Sequence, residues 1–300
     1  MNKEQARKTS GWAAIVIAGF FASAWAFWGI VENFHEGWYF RSLGQNIVLM
    51  FGQYLAIPIL FTAATAVSIM RPRAGSLIHL AAGVLAVIFF GRGAGVLFIG
   101  IPFVGLALLY WFGKFDRKKL AGILAVGPPL LIILGFGTFQ AMRVAGRFHD
   151  DVAGARRIEG NGVALTWAPA GPGWPDAGTT WENAVFVCSH LSEDGMTVTD
   201  KELNVWRLPT VDEAVRSMVR HGVNAGGAWN GAAKTASYKK QPDKESPLWN
   251  AYSKVIYWWT ADEVDARRAY IVVYNGTVWP RLKTLQPAYL AFRAVRQAKP

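Results

Sequence analysis

The sequence predicts a protein of two parts, an N-terminal all-α membrane domain of about five transmembrane helices and a C-terminal soluble α+β domain. Most of the long apolar runs in the 300-residue chain lie before Gln140. After that point, two capped amphipathic helix signals precede runs of β-branched and aromatic residues that are typical of strands. The predicted boundaries are residues 1–142 for the membrane domain, 143–163 for a polar linker and 164–300 for the soluble domain.

Five apolar segments are long enough, or nearly long enough, to cross about 30 Å of hydrocarbon. They are Trp12–Val31, Asn46–Met70, Ala74–Gly91, Gly93–Gly113 and Leu120–Gln140. The third and fourth segments are joined by the short link FFGRGAG, in which Arg92 must reach an interface by snorkelling. This pair is therefore either two short helices or one broken helix, and the second choice lowers the count to four.

Basic residues around these segments predict the orientation in the membrane. Nine lysines and arginines lie before the first segment, after the second and after the fourth, whereas the alternate loops hold only Arg41 and Arg92. The positive-inside rule then places the N-terminus in the cytoplasm. An odd number of crossings predicts a bacterial inner-membrane protein whose C-terminal domain is periplasmic or extracellular. The first segment lacks a small-residue cleavage site, so we interpret it as a retained anchor and not a signal peptide.

The net charge of +11 does not indicate nucleic-acid binding. The basic surplus of the first half lies in short loops, where it sets orientation, and the second half is close to balanced. Cys188 is the single cysteine and therefore has no partner for an internal disulfide.

The stretch VENFHEGWYF could carry chemistry in the membrane half. On a helix, Glu32, His35 and Glu36 share one face at the i, i+3, i+4 spacing that carboxylate-rich metal sites use. This half contains no second cluster of that kind, and the aromatic run that follows is typical of an interfacial belt. We favour a polar helix end here and predict no metal or cofactor.

The stretch TTWENAVFVCSHL predicts the first helix of the soluble half. Thr179 and Glu182 have the spacing of a capping box, and the apolar residues that follow recur at i, i+3, i+4 and i+7 from Trp181. Cys188 belongs to this stripe and is expected to point into the core.

The stretch NVWRLPTVDEAVRSMVRHG poses the question of whether it is a functional site or scaffold. Thr210 and Glu213 form a second capping box, and Gly222 supplies the helix stop. Pro209 keeps Leu208 extended, so the chain enters the helix from a strand-like segment. Local backbone hydrogen bonding therefore accounts for the threonine and the glutamate, and the stretch is predicted to be scaffold.

The last third of the chain has the pattern of strands. SKVIYWWTA is β-branched and aromatic, and AYIVVYNGTVW contains Asn275-Gly276 between apolar runs, a strong hairpin signal. YLAFRAVRQ alternates and is expected to lie on one face of a sheet. Helices followed by a hairpin-rich sheet predict an α+β fold.

Several short motifs of the soluble half, taken in order, carry a family resemblance. They are Trp181-x-x-Ala184, Cys188, Leu191, WRLPT with Glu213, YWWT, AYIVVYNGTV and FRAVR, over about Thr179 to Arg296. They resemble the Lcl C-terminal domain family, a bacterial domain of unknown function named for the end of a collagen-like adhesin. That family is similar to the formylglycine-generating-enzyme group, which implies a C-type-lectin-like fold of the sulfatase-modifying-factor type. The membrane half lies outside this resemblance.

The resemblance also implies which residues are scaffold and which are missing. Catalytic members of the group use a cysteine pair or several histidines, and neither set occurs here, so no catalytic residue is predicted. The residues carried over as structural are Trp181, Cys188, Trp206, Arg207, Leu208, Pro209, Thr210, Glu213, Trp258, Arg293 and Arg296. Arg207 is expected to form an internal ion pair.

Tryptophans in loops are the remaining functional hint, because aromatic side chains offer large rigid contact surfaces for sugars and protein partners. Trp174, Trp229 and Trp249 lie in loop-like stretches and are the candidate binding residues. The favoured function is a membrane-anchored, non-catalytic extracytoplasmic module whose partners are the lipid bilayer and a cell-envelope glycan or protein. The alternatives are an accessory subunit of a larger membrane complex and a metal-dependent membrane enzyme.

Overall fold

The computed structural model describes residues 2–91 and 93–298. These residues form two compact units. The first comprises Met1–Trp38 and Ser42–Val144, and the second comprises Tyr39–Arg41 and Ala145–Pro300.

Each of the five predicted apolar segments of the first unit is helical. The helices are α1 (Lys3–His35), α2 (Leu43–Leu49), α3 (Ala56–Met70), α4 (Pro72–Phe90), α5 (Ile101–Phe112) and α6 (Lys118–Ala145). A π-helical turn at Met50–Tyr54 joins α2 to α3, and another at Val96–Gly100 leads into α5.

Fewer helices than predicted are long and apolar enough to cross a membrane alone. Within the described residues there are three, namely α1, α4 and α6. A fourth arises if α2 and α3, which are bent by 65° at their junction, count as one span. The apolar helix Val96–Phe112 is shorter than the others. The first unit is thus an apolar helical region of three or four candidate spans, typical of a membrane-associated protein.

Residues 74–113 form two helices that pack side by side, not one broken helix. The Ser76 hydroxyl donates to the Ala107 carbonyl at 2.6 Å, and a side chain at Gly83 would meet Val104. Gly95 closely approaches Phe90 at the near end of the link. Successive contacts have rising residue numbers in α4 and falling residue numbers in α5, so the two helices are antiparallel. Arg92, in the link, lies outside the described residues.

The helix directions determine where the first unit ends. A side chain at Gly29 of α1 would meet the Tyr54 carbonyl, so the second segment returns toward the start of α1. A side chain at Gly19 would meet the Leu124 carbonyl, and Gly137 faces Ile30. Because both contacts advance together, α6 runs in the same direction as α1. It therefore ends at the end of the bundle opposite Lys3.

The second unit is a mixed-sheet domain with two short helices, α7 (Trp181–His190) and α8 (Val211–Ser217). Its strands are β1 (Arg156–Gly160), β2 (Val163–Trp167), β3 (Val219–Arg220), β4 (Val223–Asn224), β5 (Ala228–Asn230), β6 (Thr235–Ser237), β7 (Tyr257–Asp265), β8 (Arg268–Val273), β9 (Val278–Leu282), β10 (Leu290–Ala291) and β11 (Val295–Gln297). The two larger sheets have strand orders β1-β2-β11 and β10-β7-β8-β9. Strand β10 pairs parallel with β7, and the other described pairs are antiparallel.

The predicted hairpin at Asn275-Gly276 is confirmed, since it joins the antiparallel pair β8 and β9. The single strand predicted for YLAFRAVRQ is wrong. This stretch divides into β10 and β11, which belong to different sheets, and Arg293 between them is fully buried. The predicted linker 143–163 also contains β1, whose charged residues masked the strand pattern around Ile158.

The first capping box is displaced by one residue from its predicted position. Thr180, and not Thr179, caps α7 by accepting from the Asn183 amide at 3.2 Å. The Thr179 hydroxyl instead accepts from the Asn183 side chain at 2.7 Å. At α8 the structure has the reciprocal box of Thr210 and Glu213.

Candidate functional site

The second unit contains a small polar pocket with a volume of about 140 Å³. This volume corresponds to about five water molecules. We call it the polar pocket, and its wall is formed by Arg41, His149, Asp151, Val152, Ala153, Ala170, Trp174, Asp176, Ser246, Pro247, Trp249 and Asn250.

One wall of the polar pocket is an ordered group of polar side chains. The Nε2 atom of His149 lies 3.0 Å from a carboxylate oxygen of Asp151, and its Nδ1 lies 3.4 Å from the Ser246 hydroxyl. Arg41 pairs with the same carboxylate and lowers the pKa of Asp151 through that hydrogen bond. The Tyr252 ring lies edge-on to the imidazole, with ring centroids 5.0 Å apart. His149 is therefore fixed in orientation.

A second wall is formed by Trp174, which a tight turn presents. The Trp174 amide donates to the Gly171 carbonyl at 3.0 Å, and Gly171 has a φ of 139°, a conformation that glycine adopts readily. The Arg293 guanidinium lies 3.6 Å from the centre of the indole ring. One face of Trp174 is thus occupied by a cation, an arrangement that stabilises both groups.

Trp249 contributes to the pocket wall from within the core. It is 2% exposed and stacks on Trp258 with ring centroids 3.6 Å apart, and Trp167 packs on Trp258 at a tilt of 33° with centroids 5.7 Å apart. The three indole Nε1 atoms are buried without an acceptor in the described part of the chain. Of the three, Trp249 lines the polar pocket. Trp249 lies outside the helices and strands, as predicted, but the stack holds its ring in the core.

Asp176 connects the pocket to a buried lysine. Its carboxylate accepts from the Ser253 hydroxyl at 2.9 Å, and the Ser253 carbonyl accepts from the Lys244 ammonium. Burial lowers the pKa of Lys244 to about 7, and the charge of Arg147 acts in the same direction. The amine is therefore close to half protonated near neutral pH.

The segment that carries Lys244 is held by buried ion pairs. Asp243 accepts from Arg147 at 3.0 Å and from Arg220 at 3.1 Å. Glu245 accepts from Arg220 at 2.8 Å and from the His221 amide at 2.6 Å. These pairs position Ser246, Pro247 and Trp249 at the pocket, since the residues follow directly along the chain.

The structure places the WRLPT stretch away from the polar pocket. Arg207 and Glu213 form a two-pronged ion pair at 2.5 and 2.7 Å, and the Arg207 backbone bridges to Val295 in β11. Burial raises the pKa of Glu213, but hydrogen bonds from Arg207 and Thr210 outweigh it and lower the pKa overall. Trp206 is buried and donates to the Ser192 carbonyl at 2.9 Å.

The other residues singled out from the sequence lie in different surroundings. Trp229 is half-buried on β5 beside Tyr270 and does not line the polar pocket. Trp181 donates to the Thr260 carbonyl at 2.8 Å. Burial raises the pKa of the Cys188 thiol, so the thiol is unreactive at neutral pH. Arg296 donates to the Glu193 carbonyl at 2.6 Å.

The Glu32, His35 and Glu36 cluster lies at the end of α1, where His35 is the last helical residue and Glu36 is the C-cap. Across residues 2–91 and 93–298, no three His, Cys, Asp or Glu side chains are arranged to hold a metal ion. The cluster is included in that statement.

Sequence reasoning missed most of the polar wall. His149 and Asp151 lie in the stretch predicted to be a linker, and Asp176, Ser246 and Asn250 come from loops far away in sequence. The consecutive titratable residues His149, Asp150 and Asp151 were the available signal. Their polarity indicated solvent exposure, because nothing local shows that Ser246 returns to meet them.

No protein-family model, no curated protein and no solved structure matches the chain.

Proposed function

We propose that this protein is a membrane-anchored, non-catalytic binding module, and that its polar pocket holds one sugar residue of a cell-envelope glycan. The observation that carries the proposal is the composition of the pocket wall. Aromatic Trp174 and Trp249 lie beside the carboxylates of Asp151 and Asp176. Sugars present hydroxyl groups that need donors and acceptors, and flat C–H faces that pack on aromatic rings.

Three features support a sugar as the ligand. The volume of about 140 Å³ is on the scale of one small ring. Arg293 holds the Trp174 ring in place at the edge of the pocket, where it can pack on a ligand. His149, held by Asp151 and Ser246, adds a polar group of fixed orientation to the same wall.

The proposed fold of the second unit rests on the resemblance to the Lcl C-terminal domain family. We propose that the second unit is a C-type-lectin-like domain of the sulfatase-modifying-factor type. Two short helices, small separate sheets and long connecting loops are compatible with this fold. The polar pocket is built from such loops, as binding sites on rigid scaffolds commonly are.

The proposed topology has five crossings, an N-terminus in the cytoplasm and a second unit in the periplasm or outside the cell. It counts the bent pair at residues 43–70 and the short helix Val96–Phe112 as one crossing each. The nine-to-two distribution of basic residues and the shared direction of α1 and α6 support it.

A pair of reporter fusions tests the topology. A reporter that is active only in the cytoplasm, fused after Pro300, should be silent, and the same reporter fused after Phe115 should be active. An active fusion at Pro300 would contradict the odd number of crossings and the extracytoplasmic location together.

Binding measurements on the full-length protein in micelles test the ligand. Envelope glycan fragments and their constituent monosaccharides are titrated while tryptophan fluorescence is followed. Replacing Asp176 with Asn should weaken binding at least about 10-fold, because a charged hydrogen-bond acceptor is lost. The matched control is Trp229→Leu, which removes a tryptophan of β5 outside the pocket and should leave affinity unchanged. Equal weakening by both variants, or the absence of any sugar binding, contradicts the proposal.

A second function, accessory subunit of a larger membrane complex, is favoured by one observation on the first unit. An apolar groove of about 810 Å³ is lined by aromatic side chains that include Phe20, Trp25, Trp28 and Phe98. Such a groove suits a helix of another protein. Copurification from native membranes discriminates, since replacing Trp28 with Ala should release a helical partner and leave glycan binding unaltered.

A further inference from the structure

A second groove, of about 1010 Å³, lies at the end of the first unit where α1 begins. We call it the basic groove. Four cationic side chains line it, Lys3 and Arg7 from α1, Arg71 between α3 and α4, and Arg73 from the first turn of α4. Trp111 and Phe112 from the end of α5 complete the wall. The groove therefore joins three segments that are distant in sequence.

The four cations are exposed, and within the described residues no carboxylate pairs with them. The nearby acidic groups are engaged elsewhere. Glu4 pairs with Lys114 at 2.9 Å, and Asp116 pairs with Lys8 at 3.6 Å. Arg7 also interacts with the charge of Glu4, and its Nε donates to the Phe112 carbonyl at 3.4 Å. The groove still has an excess of positive charge, so an anion in it is favourable.

The two aromatic residues indicate that this anion belongs to a lipid. Trp111 is 46% exposed and Phe112 is 61% exposed, at the end of apolar helices. A free phosphate ion gains nothing from exposed rings, whereas a lipid places its acyl chains against them and its phosphate among the cations. Tryptophan is enriched at membrane interfaces, and basic pockets between transmembrane helices bind lipid headgroups.

We propose that the basic groove is a binding site for an anionic glycerophospholipid, with the phosphate held by Lys3, Arg7, Arg71 and Arg73 and the acyl chains packed on Trp111 and Phe112. The lipid links the start of α1, the turn before α4 and the end of α5. Because it binds only when these segments are assembled, it stabilises the folded bundle. The site requires the first unit to lie in a membrane and is independent of the sugar in the polar pocket.

Titration of the full-length protein with phosphatidylglycerol tests this site. The protein is purified in a zwitterionic detergent, and bound lipid is counted by native mass spectrometry, with phosphatidylcholine as the neutral comparison. The groove variant is Arg71→Gln with Arg73→Gln. The matched control is Lys118→Gln with Lys119→Gln, which removes two exposed cations at the start of α6 that do not line the groove.

Phosphatidylglycerol should bind the parent and the control at similar concentrations, and the groove variant about 30-fold more weakly, or roughly 5-fold per cation. Phosphatidylcholine should bind none of them appreciably. Inorganic phosphate and glycerol 3-phosphate, at equal phosphate concentration, should not displace the lipid.

Two results overturn the proposal. Equal weakening in the groove variant and in the control means that general surface charge attracts the lipid. Displacement by inorganic phosphate means that the groove is a site for small anions. Arg73→Glu reverses the charge of one exposed side chain and should abolish lipid binding. Its helical circular dichroism should equal that of the parent, which shows that the loss is not caused by misfolding.

Discussion

The two units bury backbone polar groups in different ways. In the first unit, helices satisfy their own backbone, and buried hydroxyls donate to helix carbonyls, as Ser68 does to Ala64 of its own helix at 2.8 Å and Ser76 does to Ala107 of α5 at 2.6 Å. The second unit has long irregular segments whose carbonyls need other donors. Buried cations supply them there. The first unit therefore depends on small side chains where its helices meet, whereas the second depends in addition on buried side-chain donors.

Arg293 shows what a buried donor does in the second unit. It donates to the carbonyls of Ala168, Pro247 and Leu248 at 2.9, 2.9 and 2.6 Å. Burial lowers the pKa of this guanidinium well below its ordinary value, and Arg156 adds to the effect. Arginine remains a donor in such surroundings because its charge is delocalised. The residue thereby joins β2, the 247–248 loop and the segment before β11.

Among changes to hydrogen-bonding groups, the largest expected effect is that of Arg293→Met. The change leaves three buried carbonyls without donors, and we expect the second unit to lose at least about 3 kcal/mol of its free energy of unfolding. Urea unfolding in micelles, followed by tryptophan fluorescence, measures the loss. Arg296→Met is the control, because its guanidinium reaches one carbonyl near the surface, and it should cost less than about 1 kcal/mol. Equal losses of unfolding free energy in the two variants would contradict the role of Arg293 as a buried donor.

Gly75→Ala tests the role of size in the first unit. A side chain at Gly75 would lie 2.4 Å from the Cα atom of Ser68, so α3 and α4 must separate. We expect a cost of about 1 to 3 kcal/mol, seen as a lower midpoint of thermal unfolding in micelles by circular dichroism. Gly105→Ala is the matched control, since nothing lies within 4 Å of that position and alanine favours helix. A control as unstable as Gly75→Ala would contradict close packing as the cause.

Lys244 is expected to make the stability of the second unit depend on pH. Its pKa is about 7 in the folded protein, whereas an unfolded lysine titrates near about 10.4. Between these values the unfolded chain binds a proton that the folded chain lacks, so stability rises with pH from about 7 to about 10 and is level below 7. The slope is at most about 1.4 kcal/mol per pH unit. In Lys244→Met this rise should disappear, as urea unfolding at pH 6 to 9.5 would show; a rise that persists implicates other groups.

The smallest expected effect concerns the helix cap of α8. Thr210→Ala removes the hydroxyl that accepts from the Glu213 amide at 3.1 Å and should cost about 1 kcal/mol.

Trp206→Ala, in the same stretch, should cost about 3 to 5 kcal/mol because its ring is 2% exposed. The same urea experiment measures both. If both variants unfold like the parent and still lose glycan binding, WRLPT is a functional site and not scaffold.

Features that depend on residues close together along the chain could be predicted from the sequence. The apolar helical segments, the reciprocal box of Thr210 and Glu213, and the hairpin at Asn275-Gly276 follow from interactions within a few residues along the chain. The prediction erred by one residue at Thr179, where two adjacent threonines offer the same cap chemistry.

Contacts between groups that are distant in sequence could be identified only in the tertiary structure. The polar pocket brings His149 to Ser246 across ninety-seven positions, and Arg293 reaches Ala168 across 125. Packing also decided that α4 and α5 are antiparallel neighbours, because Gly83 admits Val104. No local pattern encodes such contacts. Their free energy depends on loop closure and on burial of the assembled chain, which are properties of the whole fold.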